Sequence, residues 1–296
     1  MSSNKISVII NTKNSQDTIE RTLKSVTWAD EIVIVDMNST DKTVEISKKY
    51  TDKVFKHKDV GFVEPARNFA ISKATHDWIF ILDADEEVSK DLKNTIKELI
   101  TKDIDIYDIP RKNIVFGKWI KNAGWWPDYQ RRLFRKGHVI WSDTIHTVPE
   151  IKGSVKKLDP KEGNAIIHHN YQTIEQYIDR LNRYTSIEAD QKKDSLISAA
   201  KTLQEGFSEL QKRLYQHQGY KDVHGIGLSL LQMFYQVTVQ LKIWQKQGFK
   251  NIDSSIDESV DTIIKELKYW HASYKISTTK NPITKIYWRI RKKLYI

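Results

Sequence analysis

Over its first hundred residues the chain alternates short β-branched runs with amphipathic segments of helical length, and that order leaves few folds open. Ile6–Ile10, Glu31–Val35, Lys53–His57 and Trp78–Leu82 read as strands. Residues 18–25, 41–50, 64–73 and 90–100 read as the helices between them. Strands separated by helix-length segments pair in parallel through right-handed crossovers, which predicts a layered α/β sheet. In such sheets ligands bind outside the carboxyl ends of the strands. The chemistry is therefore expected just after Ile10, Val35 and Leu82.

Beyond residue 103 the texture changes. Pieces at 104–109, 113–119, 130–135, 139–141 and 164–168 are rich in β-formers, with Gly or Pro between them. From Thr173 the pattern becomes mostly helical, most clearly at 173–193, 225–247 and 255–270. The division expected is a sheet domain over residues 1–170 and a helical region over 171–296.

Composition narrows the class. Apolar residues make up 39% and charged residues 29%, the balance of a folded soluble protein. There is no cysteine, which excludes disulfides and thiolate metal sites. The first residues lack a signal-peptide pattern, and no run approaches the roughly eighteen apolar residues of a membrane span. The expected location is the cytoplasm, with the inner face of the cell membrane as a candidate surface. The net charge of +10 is uneven: residues 1–150 hold 24 basic and 23 acidic side chains, residues 151–296 hold 24 and 15. A basic back half suggests an anionic partner, whether membrane surface, phosphate-bearing substrate or nucleic acid.

The run Ile81-Leu82-Asp83-Ala84-Asp85-Glu86-Glu87 follows the fourth strand. Two carboxylates two residues apart can face one hard cation, Mg²⁺ or Mn²⁺, whose shell diphosphate oxygens complete. Such a cation neutralises charge building on a leaving diphosphate. The alternative is a solvated loop whose acids cap the helix starting near Ser89. Asp36 ends the second strand, where a carboxylate needs a partner and can accept from ribose hydroxyls or a base N–H. Asp41 reads as a helix cap. Asn11-Thr12-Lys13-Asn14 ends the first strand, a place where polar groups can hold a nucleotide. Neither a dinucleotide-binding glycine fingerprint nor a phosphate-binding P-loop occurs.

In ensemble, Ser7-Val-Ile-Ile-Asn-Thr-Lys13, Val35-Asp36, Ser39-Thr40-Asp41-Lys-Thr43, Gly61-Phe62, Ala66-Arg67-Asn68-Phe-Ala70 and Leu82-Asp-Ala-Asp-Glu86 resemble the nucleotide-binding half of family 2 glycosyltransferases, which have the GT-A fold. The later pieces Gly124-Trp-Trp-Pro-Asp-Tyr-Gln-Arg-Arg-Leu-Phe-Arg135, Ile145-His146, Gly153 and His168 are similar to the subgroup containing lipooligosaccharide core β-1,4-glucosyltransferases. The resemblance spans about residues 5–185. It implies a Rossmann-like mixed sheet flanked by helices. It also implies an inverting, metal-dependent transfer of glucose or a similar hexose from a nucleotide-sugar, with UDP as the expected nucleotide.

Carried over, the resemblance makes Asp36 a nucleoside ligand and assigns Asp83 and Asp85 to metal and diphosphate. Arg67 faces donor phosphate or sugar, and Arg131 or Arg132 pairs with the diphosphate. On one strand those two arginines point to opposite faces, so at most one can do so; Arg132 is taken as the candidate. Asp128 becomes the base for the acceptor hydroxyl, with a Pro-Asp turn as the alternative reading. Two departures stand out: Asp36-Met37 where family members often carry Asp-Asp, and His146-Thr147 where the subgroup often shows His-Glu. The second leaves His146 as a metal-ligand candidate. His168 and His169 point oppositely on a strand and read as structural rather than as a metal pair.

Trp125 and Trp126 suit either pyranose stacking or core packing. Residues 283–294 place Ile283, Ile286, Ile290 and Leu294 on one helical stripe flanked by basic side chains, for an anionic membrane surface or for the protein's own body. The expected acceptor is a cell-envelope glycan, glycolipid or glycoprotein, and the helical region is a candidate homo-oligomer contact. A sugar nucleotidyltransferase is the second enzyme reading, weakened because no Gly-rich basic loop follows the first strand. A nucleic-acid or anionic-surface binder is a third; nucleic acid is disfavoured because acids interrupt the basic helices.

Overall fold

The computed structural model describes residues 4–59, 61, 63–142 and 149–295, apart from the Glu64 side chain. The chain divides into two compact units: Met1–Trp119 with Trp126–Gln172, and Ile120–Trp125 with Thr173–Ile296.

In chain order the first unit contains β1 (Ile6–Thr12), α1 (Ile19–Ser25), β2 (Glu31–Asp36), α2 (Thr43–Ser47), β3 (Val54–Lys56), α3 (Glu64–Lys73), β4 (Trp78–Asp83), β5 (Glu86–Glu87) and α4 (Lys90–Leu99). It continues with β6 (Ile106–Val115), β7 (Lys118–Trp119), β8 (Asp128–Arg135), β9 (Val139–Ile140), β10 (Glu150–Ile151), β11 (Val155–Lys157) and β12 (Ile166–His169). The main sheet runs β3-β2-β1-β4-β8-β6-β12-β5, with β7 and β11 also paired to β6. β1 through β4 pair in parallel, and β8 joins antiparallel to β4 and β6. The expected mixed α/β sheet flanked by helices is therefore present.

β1 is buried along its whole length, as a central parallel strand covered on both faces must be. Alternate residues serve opposite layers. Val8 and Ile10 pack in the cluster of Ile19, Leu23, Leu92 and Ile96 from α1 and α4. Ile9 joins Val33, Val35 and the α3 residues Ala66, Ala70 and Ile71. These two layers hold the strand ends Thr12, Asp36 and Asp83 in register: Asn11 lies opposite Asp83, and Thr12 opposite Asp36.

One strand departs from the reading by sequence. The pieces at 104–109 and 113–119 become the ten-residue β6, continued by the short β7, although Pro110 lies inside β6. Proline cannot donate to a ladder. The structure accommodates it because β11 pairs only with Ile106–Asp108 and β12 only from Arg111 onward, leaving Pro110 between them.

The second unit is helical: α5 (Ile174–Gln191), α6 (Ala199–Gln211), α7 (Val223–Lys246), α8 (Asp257–Thr278) and α9 (Pro282–Leu294). Thr173, Ser198, Asp222 and Asn281 cap α5, α6, α7 and α9 with side-chain oxygens that accept backbone N–H groups. Gly206 lets α7 approach α6 closely; a Cβ there would lie 2.6 Å from a Val237 methyl. The segment Ile120–Trp125, expected in the sheet domain, belongs to this unit. Its Ala123 N–H donates to His217 O at 2.8 Å, Ala123 O accepts from Arg213 Nη1 at 2.9 Å, and Asn122 Nδ2 donates to Asp222 at 3.1 Å.

Candidate functional site

The carboxyl ends of β1, β2 and β4 and the start of β8 carry a network of buried charge, all within the first unit. Asp83, last residue of β4, receives Arg132 Nη1 at 3.3 Å on one oxygen and Arg132 Nη2 on the other, and Arg67 Nη2 approaches at 3.3 Å. Burial works to raise the Asp83 pKa, but the Arg132 and Arg67 guanidinium groups outweigh it and hold the carboxyl far below the usual range. Glu86 is fully buried and holds the next turn. It accepts from Arg132 Nη2 at 2.9 Å, Arg111 Nη1 at 3.2 Å and the Asp83 N–H at 2.9 Å.

Arg111 then reaches Asp128 across the β6–β8 pair, where the two residues are register partners. Its Nε donates to Asp128 Oδ2 at 2.8 Å and its Nη2 lies 2.7 Å from the same oxygen. Asn113 Nδ2 donates to Asp128 Oδ2 at 2.9 Å, and Gln130 Nε2 donates to Oδ1 at 2.7 Å. Burial again pushes up, and Arg111 with the two amides pulls the Asp128 pKa below its ordinary value.

Asn113 ties this carboxylate to a histidine. An ionised carboxylate only accepts, so the Asn113 NH₂ must face Asp128 and its Oδ1 must face the other way. That oxygen lies 2.7 Å from His168 Nδ1, which therefore carries a proton. His168 Nε2 lies 3.5 Å from Asp85 Oδ2. A nitrogen and a carboxylate oxygen so disposed form a donor pair for a cation, with a second hydrogen bond fixing the ring as metal-ligand histidines require. Among the described residues no group of three or more His, Asp or Glu side chains forms such a site. A cation held there would have two protein ligands and would need phosphate oxygens and water to complete its shell.

This arrangement revises several expectations. Asp83, expected at the metal and diphosphate, faces the Arg132 and Arg67 guanidinium groups, while Asp85 lies beside His168. Glu86, read as helix-start charge, is the buried acceptor shared by Arg111 and Arg132. Arg132 is only 2% exposed, so its charge is spent on Asp83 and Glu86; Arg67, also against the Trp141 ring, is the more accessible cation. Arg131 diverges from Arg132, as strand alternation requires, and pairs with Asp108 at 2.9 Å. His169 turns the opposite way from His168 and meets Glu87 at 3.0 Å. His146 lies outside the described residues.

Toward β1 and β2 the site is less charged. Asp36 accepts from the Ser39 N–H at 3.1 Å, the partner its buried carboxylate needed. Asp41 accepts from the Thr43 N–H at 3.0 Å ahead of α2. Asn11 Nδ2 donates to Ala66 O at 3.1 Å, which anchors the helix that carries Arg67 rather than a ligand. Asn11 Oδ1 and Thr12 Oγ1 are buried without a hydrogen-bond partner among the described residues. Buried orphans of this kind are costly; on consecutive β1 positions the two point to opposite faces of the sheet, Asn11 toward α3 and Thr12 toward the α1 and α4 layer. The loops after β1 and β2 are sewn together: Asn14 Oδ1 accepts the Thr40 N–H and Ser39 Oγ accepts the Asn14 N–H, both at 2.8 Å. Trp126 stands edge-on to Trp119 with ring centroids 5.1 Å apart, while Trp125 belongs to the second unit.

Arg111, Asn113 and His168 are the residues that sequence reasoning missed or set aside. Arg111 and Asn113 share one face of β6 by alternation, a signal present in the sequence. Their partners depend on the β6–β8 and β6–β12 registers, which are not.

Residues 7–149 match the family model described as Glycosyl transferase family 2. An uncharacterized glycosyltransferase of Rickettsia bellii is 31% identical over 199 residues, covering 62% of this chain and 66% of that protein. The lipopolysaccharide core biosynthesis glycosyltransferase LpsC of Rhizobium meliloti is 29% identical over 212 residues, covering 64% of this chain and 72% of LpsC. The alignments to the rickettsial relatives thus span about two thirds of those proteins' length. Among solved structures, S. aureus TarS 1-349 in complex with UDP aligns over 98% of this chain and 88% of that one, at 18% identity and a TM-score of 0.46. By the family match and these relatives, the chain carries a family 2 glycosyltransferase domain over residues 7–149.

Proposed function

We propose that this chain transfers a hexosyl group, with inversion, from a UDP-sugar to a hydroxyl of a cell-envelope glycan. The observation that carries the reading is the chain Asp128–Asn113–His168–Asp85, which couples a carboxylate held ionised to a cation-donor pair in one unbroken set of contacts. The name of LpsC supports the acceptor class. Asp36 and the orphaned acceptor at Asn11 would receive the nucleoside. Arg67 would meet the diphosphate, oriented by Asp83.

Asp128 takes the acceptor hydroxyl proton. The acceptor oxygen bonds to the anomeric carbon as the anomeric C–O bond breaks, and UDP departs with the electron pair. Asp128 is a weak base, so its transfer comes late, after the leaving bond has largely broken. Asp85 and His168 would hold Mg²⁺ or Mn²⁺, the second suiting an imidazole ligand better. Bound there, that ion would supply charge neutralisation on the diphosphate. Glu86 keeps Arg111 and Arg132 in place and touches no substrate.

Isothermal titration with UDP, with and without Mn²⁺, tests the reading. Binding should require the metal and vanish in Asp85→Ala and in His168→Ala. Metal-independent UDP binding would remove the cation from the site, and no UDP binding at all would remove the donor assignment.

A further inference from the structure

Helix α9 presents its faces in the reverse of the usual order. At about 100° per residue, Ile283, Ile286, Tyr287, Ile290 and Leu294 share one face, and Thr284, Lys285, Trp288 and Lys292 share the opposite one. The second face is the one turned toward α8. Trp288 meets His271 edge-on at 5.1 Å, Lys292 sits 4.2 Å over the Tyr269 ring, and Tyr295 stacks on Tyr269 at 5.9 Å. The aliphatic face stays in solvent: Ile283 is 77% exposed, and Ile286, Tyr287, Ile290 and Leu294 are 52 to 57% exposed. A helix whose only neighbour is its own unit buries that stripe. Here aromatic and cation–aromatic contacts hold the polar side in, and the stripe is left for an outside surface.

Charge says what that surface is. Arg289 and Lys293 flank the stripe and are exposed. No acidic residue follows Glu266, while eight Lys and Arg fall between 267 and 296. A second copy of the chain would bring those cations against their own kind across a twofold axis. An anionic bilayer instead accepts the aliphatic side chains at the acyl boundary, Tyr287 at headgroup level and the cations among lipid phosphates. Among the described residues no helix is long and apolar enough to cross a membrane, so α9 would lie along the surface rather than span it. We propose that α9 is an interfacial anchor that seats its Ile283–Leu294 face in an anionic lipid surface. It deepens the reading of the acceptor as an envelope glycan, since the anchor would hold the enzyme where such an acceptor is presented.

The test is co-sedimentation of the full chain with phosphatidylcholine vesicles and with vesicles in which a third of the lipid is phosphatidylglycerol, without nucleotide-sugar. Wild type should bind the anionic vesicles at least about tenfold more tightly than the neutral ones, and less so as salt rises. The pair Ile286→Ser with Ile290→Ser, and separately Arg289→Glu with Lys293→Glu, should each weaken binding roughly tenfold or more. Both doubles should keep the far-UV spectrum and the UDP affinity of wild type, because all four side chains are exposed and none lies in the sheet unit. Absence of wild-type binding, or unchanged binding in either double, overturns the anchor. So does a wild-type dimer in sedimentation velocity that the isoleucine double dissociates. UDP titration of the same samples reports separately on the transferase reading.

Discussion

The sheet of the first unit buries charge at both ends, and the two ends are built differently. At the amino ends Glu31 is the centre of a closed staple. It is register partner of Ser7, accepts from the Ser7 hydroxyl, the Thr75 N–H at 2.8 Å and the Thr75 hydroxyl at 2.9 Å, and pairs with Lys53. At the carboxyl ends, Asp83, Glu86 and Asp128 share Arg67, Arg111 and Arg132, while Asn11 Oδ1 and Thr12 Oγ1 stay without partners. At the amino end both Glu31 oxygens are answered, although the buried Trp78 Nε1 there has no partner among the described residues. The other end leaves acceptors unanswered beside a histidine–carboxylate pair. Buried charge by itself therefore does not distinguish the two ends; unanswered acceptors at the carboxyl end do.

Four substitutions would sharpen or break that contrast. Asp85→Ala should cost about 10⁴ in kcat with little change in thermal stability, since Asp85 is the proposed cation ligand; turnover within tenfold of wild type would reduce the carboxyl-end network to structure alone. Glu86→Ala should destabilise the fold by about 3–5 kcal/mol in urea, because it strands Arg132 and Arg111 in the interior. A cost below about 1 kcal/mol would mean that those arginines find other partners. Asp128→Asn should lower kcat by about 10²–10³ with UDP affinity retained, as expected of a proton acceptor that does not touch the nucleotide. A change in KM for the donor alone would move Asp128 out of that role.

Glu31→Gln should have the smallest effect, on the order of 1–3 kcal/mol of stability and none on UDP affinity. Its pH dependence has a definite sign. Burial raises the Glu31 pKa, but Lys53, Ser7 and Thr75 outweigh it and lower the carboxyl from 4.5 to about 2. A depressed folded pKa contributes stability above the unfolded value, lost as pH falls from about 4.5 toward about 2. Urea midpoints of wild type and Glu31→Gln should therefore converge across that window. A constant gap down to pH 2 would show that the charge on Glu31 contributes nothing.

How much could be read beforehand depends on the range of the interaction. The strands β1, β2 and β4 and the helices between them announce themselves locally, through continuous β-branched runs and amphipathic spacing. The rule that ligands gather at carboxyl ends then led to Asp36, Asp83 and Asp85. The roles inside the site were less legible. Asp83 and Asp85 are separated by one residue, yet one faces two arginines and the other a histidine 83 positions away. Glu86 looked like helix-start charge because helix α4 does begin at Lys90, capped by Ser89. Its burial comes from β5 pairing with β12, a contact across some eighty residues.

The α9 tail divides along the same line. Its helix and its two-sided character are local and were evident in the residues. Which side turns outward was settled by Trp288 and Lys292 finding His271 and Tyr269 on α8. The sequence by itself determined the order of elements, the strand ends that carry carboxylates and the amphipathic tail, because each follows from spacing within a few residues. Only the tertiary structure decided which carboxylate meets an arginine, which meets a histidine and which helix face meets water. Those outcomes depend on strand register and helix docking, long-range contacts that no local pattern encodes.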